Sequence, residues 1–156
     1  MRERYMIHPF PVRQERGDTV IHALVEESPE EIIWEELWAR SLGSDAIEIC
    51  CIPLFVRNVF LGDIVTAAPD AGKGWILKEV IRRSGDYGFR LLFPDEPAEE
   101  VMRTLHHTLR HLGCVLEWRT ARFWGVSCGP ESVLAVADVL SDWEQRGILA
   151  YETGWT

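Results

Sequence analysis

Short alternating apolar segments broken by turn signals fill the chain up to Pro94. Two segments of helical period, each closed by a glycine, follow it. Together these predict an α+β fold. The N-terminal half reads as a bent antiparallel sheet or partial barrel, joined to a ferredoxin-like βαββαβ unit in the C-terminal half. The expected division is a loose lead-in over 1–18, a small antiparallel β part over 19–86 and a ferredoxin-like α+β part over 87–156, together making one continuous unit.

Each element has its own signal. Residues 1–18 are polar and interrupted by Pro9, Pro11 and Gly17, which predicts no regular structure. Residues 19–26 are rich in Val, Ile and Leu and read as a strand. Ser28-Pro29-Glu30-Glu31 has the form of a capping box with proline at the first helical position, so one short helical turn is expected there. Residues 37–42 and 46–50 around Gly43-Ser44-Asp45 read as a hairpin. Pro53 ends its second strand, because proline has no N–H for a ladder. Residues 54–61 form an apolar linker. Gly62-Asp63 is a turn, and 64–68 is a short strand closed by Pro69-Asp70. Residues 75–83 and 87–93 read as a hairpin about Ser84-Gly85-Asp86, its second strand also serving as the first strand of the C-terminal unit.

After Pro94, Val101, Met102, Leu105, Leu109 and Leu112 recur at helical spacing. Acids stand at the start of that segment and Arg110 and His111 at its end, as the helix dipole favours. Gly113 is the stop signal. Residues 114–119 and 123–128 read as two strands. Gly129-Pro130 opens a second helix with Leu134, Val136, Ala137, Leu140 and Trp143 on its apolar side. Gly147 ends that helix before a closing strand over 148–151.

Composition narrows the function classes. Apolar residues make up 47% and charged residues 26%, as in an ordinary soluble protein. The formal net charge is −9. Duplex-binding proteins draw most of their affinity from basic phosphate contacts, so direct nucleic-acid binding is disfavoured. An acidic surface suits a basic partner. Seven tryptophans is a high count for this length; core filling is the expected use of most of them, and an excess also suits a protein contact surface. Cys50, Cys51, Cys114 and Cys128 form no C-x-x-C spacing and read as buried free thiols in a reducing cytoplasm. No segment approaches the roughly twenty apolar residues of a membrane span, nor is there an N-terminal apolar stretch of signal-peptide length.

Several strings fall in an ordered series: Glu36-Leu37-Trp38-Ala39, Ile52-Pro53-Leu54-Phe55, Gly62-Asp63-Ile64-Val65, Ser84-Gly85 with Arg90, Leu112-Gly113-Cys114 with Glu117, and Gly147 with Tyr151-Glu152. Over about residues 35–152 the chain resembles the bacterial family catalogued as domain of unknown function 4265. It departs from the family pattern at Cys51 and Leu54, where an asparagine and a second phenylalanine are usual. The resemblance implies no activity. Its small size and bacterial spread resemble those of accessory proteins such as toxin-neutralising immunity proteins.

The candidate chemistry is sparse. His107 and His111 form an i, i+4 pair beside His106, but lack the third ligand and the glutamate of a helical zinc site, so no metal or cofactor is expected. Ser84, Ser127 and Cys128 have no histidine placed beside them by the sequence, and nucleophilic catalysis needs such a base. No catalytic residue is assigned. Arg90, in a strand between Phe89 and Leu91, is expected to pair with a carboxylate such as Glu36 or Glu79.

The leading expectation is a non-enzymatic cytosolic binding protein, of immunity or antitoxin type, occluding a basic partner. Its contacts would be Glu35, Glu36, Trp38, Asp63, Asp86, Asp138, Asp142 and Trp155. The alternative is a small-molecule or nucleotide site between the two halves, lined by Arg57, Asp63, Arg83, Ser84 and Arg90. A homo-oligomer built on the C-terminal sheet is a third possibility.

Overall fold

The computed structural model describes residues 1–154 as two sheets and two helices. The first sheet contains β1 (Arg2–Met6), β2 (Thr19–Glu27), β3 (Glu31–Ser41), β4 (Ala46–Ile49), β5 (Ile64–Asp70) and β6 (Gly74–Arg82). Their order is β1-β3-β2-β6-β5-β4, and β4 pairs back onto β3. The path β3-β2-β6-β5-β4 therefore closes on itself as a barrel. Closure is possible because β3 is long. One edge takes β1 along residues 31–35 and β4 along residues 39–41, while the other takes β2. Two of the pairings are parallel, β1 with β3 and the single His22–Ile76 bridge of β2 with β6.

Alternation sets the barrel interior. Ile21 and Ala23, Leu37 and Ala39, Ile47 and Ile49, and Val65 point inward with Cys51 and Val59. A strand's residues at even spacing share one face, so Glu35 shares the inward face with Leu37 and Ala39.

The second sheet contains β7 (Tyr87–Leu92), β8 (Val115–Thr120), β9 (Phe123–Cys128) and β10 (Ala150–Thr153), with α1 (Glu99–His111) between β7 and β8 and α2 (Val133–Gln145) between β9 and β10. Its order is β10-β7-β9-β8, antiparallel throughout. Phe89, Leu91, Phe93, Trp124 and Val126 form one core with Leu105 and Leu109 of α1 and Val136, Leu140 and Trp143 of α2. The opposite face packs on the barrel. There Gly125 leaves room for Leu54 and Ile52, whose atoms would lie 2.7 and 2.8 Å from an added Cβ. No helix among the described residues is long and apolar enough to cross a membrane.

Four expectations are corrected. The first eighteen residues are not a loose lead-in. Arg2–Met6 adds to β3, and a 3-10 turn spans Gln14–Arg16. The Ser28 box starts no helix, because Ser28 Oγ accepts the Glu31 N–H at 3.1 Å within the tight β2–β3 turn. Local capping chemistry is shared by helix starts and turns, and the flanking strands decide which forms. Residues 75–83 and 87–93 are not a hairpin: β6 pairs with β5 and β2, whereas β7 lies between β10 and β9. For the same reason β7 belongs to the second sheet only.

Candidate functional site

Residues 50–63 link β4 to β5 without regular structure, yet most of their side chains are buried. A buried loop must find partners for its backbone groups. Two carboxylates from distant parts of the chain, and one from the loop's own end, supply acceptors. Glu35 on β3 takes the N–H groups of Leu54, Phe55 and Val56 at 2.6, 3.0 and 2.7 Å. Glu117 on β8 takes those of Ile52 and Val12 at 3.0 and 3.1 Å. Asp63 takes those of Phe60 and Ser84 at 3.0 and 2.8 Å.

Cations hold the loop's carbonyls and these acids. Arg83 donates to Asp63 at 3.0 Å and to the Asn58 carbonyl at 2.6 Å. Arg90 donates to the Val56 carbonyl at 2.6 Å and to Glu152 at 3.1 Å. At the centre stands His8. Its Nε2 donates to Glu35 at 2.8 Å and its Nδ1 to Glu117, with the ring 2% exposed and both carboxylates fully buried. Burial opposes charging of the ring, but the Cys51 thiolate, which forms only at high pH, and the hydrogen-bonded Glu117 and Glu35 carboxylates outweigh it and push His8 up to about 12. The imidazolium thus bridges the barrel and the second sheet, and both ring nitrogens are occupied. Burial pushes the adjacent Cys51 thiol up to about 11, against the pull of His8, so it stays protonated at neutral pH. A further buried acid, Glu48, faces Arg16 at 2.9 Å, Arg40 at 3.0 Å and Arg13 at 3.6 Å, fastening the 3-10 turn to β4.

The expected contact residues fare unequally. Glu35 and Asp63 are fully buried and cannot meet a partner at the surface; strand alternation put Glu35 inside, and Asp63 turns inward to bond two amides. Glu36 is half-buried, 3.4 Å from His22. Trp38 is half-buried, and its indole N–H donates to the Gln14 carbonyl at 2.9 Å. Asp86 is half-buried, and burial pushes its carboxyl up despite Arg13. Asp138 and Asp142 are exposed on α2. Trp155 lies outside the described residues.

Of the alternative set, Asp63, Arg83 and Ser84 do meet, while Arg90 and Arg57 meet at Glu152, at 3.1 and 3.7 Å. Arg90 therefore pairs with Glu152 rather than Glu36 or Glu79. These groups hydrogen-bond the loop itself. One cavity between the halves, lined by residues including Ile52, Phe60, Arg90 and Ser127, holds only ≈ 10 Å³, room for about one water, and an open pocket of ≈ 200 Å³ beside Arg90 and Glu152 is lined by residues of the second sheet. His107 and His111 stack on the exposed side of α1, and His106 packs edge-on to Trp118.

Sequence reasoning missed His8 altogether, because a single histidine in a proline-interrupted segment carries no spacing signal. It also missed Glu48 and the role of Glu117. For Glu35 a signal existed, its shared parity with Leu37 and Ala39.

A crystal structure of a hypothetical protein from Neisseria gonorrhoeae is similar to this chain, with TM-score 0.75 and 19% identity over 88% of this chain and 94% of that one. That likeness shows the fold. No curated protein matches the sequence. Within or beside the ordered strings, Glu35, Asp63, Arg90, Glu117 and Glu152 meet around one loop. The family model for the domain of unknown function DUF4265 matches residues 35–151, and the chain belongs to that family.

Proposed function

We propose that this chain is a cytoplasmic binding protein that covers a basic partner protein, as immunity and antitoxin proteins do. One observation carries the reading. On α2, Leu134, Asp138 and Asp142 follow at i, i+4 and i+8 along the outward face, all exposed, with Leu134 81% exposed. Residues four apart are neighbours on a helix surface, so an apolar tip stands in line with two acids. Such a stripe is suited to a basic groove, where charge complementarity speeds encounter and the apolar anchor slows release. The net charge of −9 acts in the same direction.

The C-terminal unit is read as ferredoxin-like, supported by its strand order and by a helix after each of β7 and β9. In that arrangement α2 lies on the layer away from the barrel and is open to a partner. The carboxylates with the strongest claim to chemistry hold backbone amides instead, which favours binding over a ligand site between the halves.

The test is a pull-down with the full chain from cells of its source, beside the surface variant L134E/D138K/D142K. A stoichiometric basic partner, held by the unaltered chain, weakened by salt and lost by the variant, supports the reading. Equal capture by both overturns the assigned surface.

A further inference from the structure

Of the four cysteines, two face each other. Val115 of β8 is paired with Ser127 of β9 in antiparallel register, so Cys114 and Cys128 stand opposite one step further along. Directly opposed residues in an antiparallel pair have their side chains on the same face and Cα atoms about 4.5–5.5 Å apart. That falls within the span of about 4.4–6.8 Å that a disulfide bridges. Both side chains enter the same core cluster and both are 2% exposed. Cys50 and Cys51 differ in each respect. They are adjacent in sequence, Cys50 directs its thiol to the Glu48 carbonyl at 3.6 Å, and Cys51 faces His8.

We propose that Cys114 and Cys128 are a reversible redox pair that closes to an intrachain disulfide when the chain meets a hydroperoxide. The two thiols perturb each other's titration, as neighbouring sulfurs do. In the first step the thiolate of one of them, the nucleophilic form, displaces one oxygen of hydrogen peroxide, forming a sulfenic acid and releasing water. In the second, the other sulfur attacks that sulfenic sulfur, the S–S bond forms and a second water leaves. Two thiols lose two electrons and two protons, and one peroxide is reduced to two waters. A dithiol reverses the step by exchange.

The position gives the bond a consequence. The Cys114 N–H bonds the Leu109 carbonyl at the end of α1, and Cys128 is the last residue of β9 before the segment that leads into α2. Closing the bridge ties the end of one helix to the approach of the other, close to where Ser132 Oγ already bonds the Leu112 carbonyl at 2.9 Å.

The native chain is treated with a small excess of hydrogen peroxide, denatured in an alkylating agent and mapped by mass spectrometry. The expected result is a fall from four free thiols to two, a mass lower by two hydrogens and a cross-linked peptide containing Cys114 and Cys128. Cys50 and Cys51 stay alkylated, and dithiothreitol restores all four thiols. C114S and C128S are each expected to lose the cross-link, and the variant that keeps the attacking sulfur leaves a sulfenic acid that dimedone traps. Should neither variant fold, the peptide map of the unaltered chain decides alone. Four free thiols after prolonged exposure, a bridge through Cys50 or Cys51, or over-oxidation of Cys114 or Cys128 without a bridge would overturn the proposal.

Discussion

The ring of His8 donates to Glu35 at 2.8 Å from a segment 27 residues upstream, with the imidazole 2% exposed and the carboxylate fully buried. Its other nitrogen reaches Glu117, a residue of the second sheet. One side chain from the first strand's tail therefore neutralises charge on both halves of the molecule. Replacing it by alanine leaves two buried acids without their shared cation. Breaking a buried pair in this way costs ~3–5 kcal/mol. H8A is expected to lower the urea midpoint by that amount of stability, with the slope unchanged. A midpoint within experimental error of the unaltered chain refutes the bridging role.

The same contact makes stability pH-dependent with a defined sign. Folding raises His8 from 6.5 to about 12, so the folded state keeps a proton that the unfolded state loses. The stabilisation is full below 6.5 and is lost progressively as pH rises from there towards 12. Cys51, raised from 9.0 to about 11, adds a fall of the same sign, starting near pH 9. The window between pH 6.5 and 8.5 therefore isolates the histidine. Denaturation curves there should show stability falling with pH in the unaltered chain, and a flatter profile in H8Q.

Glu35 holds the amides of Leu54, Phe55 and Val56 through one charged side chain. Hydrogen bonds to charged groups each contribute about 1.5–3 kcal/mol, and an amide in that place accepts through one oxygen only. E35Q is expected to destabilise the fold by at least ~2 kcal/mol. Hydrogen exchange should speed up at 54–56 more than at the barrel strands. Uniform exchange across the barrel would show that Glu35 stabilises the fold without fixing this loop.

Gly125 has ordinary strand geometry, and its constraint is space. A methyl group there meets Leu54 and Ile52 at 2.7 and 2.8 Å, which is overpacking at the contact between the halves. G125A should cost ~1–3 kcal/mol. An exposed position on the same sheet, Thr153→Ala, should stay within about 0.5 kcal/mol. Equal melting of the two variants contradicts the close approach.

The strands and helices of the C-terminal half were legible because each carries its own signal: Leu105 and Leu109 at helical spacing, Gly113 as stop, and Trp124 and Val126 in alternation. The β3–β4 hairpin was legible from Gly43-Ser44-Asp45. The pairing of β1 with β3 was not, since Arg2–Met6 holds no apolar alternation and is kept in place by a neighbour's backbone. The link between β6 and β7 misled because Ser84-Gly85-Asp86 has hairpin chemistry while the chain passes between sheets. At the site, Asp63, Arg83 and Ser84 were grouped from the sequence and do meet, but the pairing of Arg90 with Glu152 was not foreseen, because hydrogen-bond partners across strands leave no trace in local spacing.

By itself the sequence determined the α+β class, the two helices with their dipole-matched ends and the motif strings that mark the family. It did so through local periodicity and turn chemistry, which act over a few residues. Tertiary structure alone decided that β4 returns to β3, that the first strand docks in parallel and that Glu35, Glu117 and Asp63 turn inward to one loop. Those outcomes depend on burial. Once residues 50–63 are covered, their backbone amides require acceptors, and the fold brings carboxylates, with His8 and Arg90 to balance them, from the far ends of the chain.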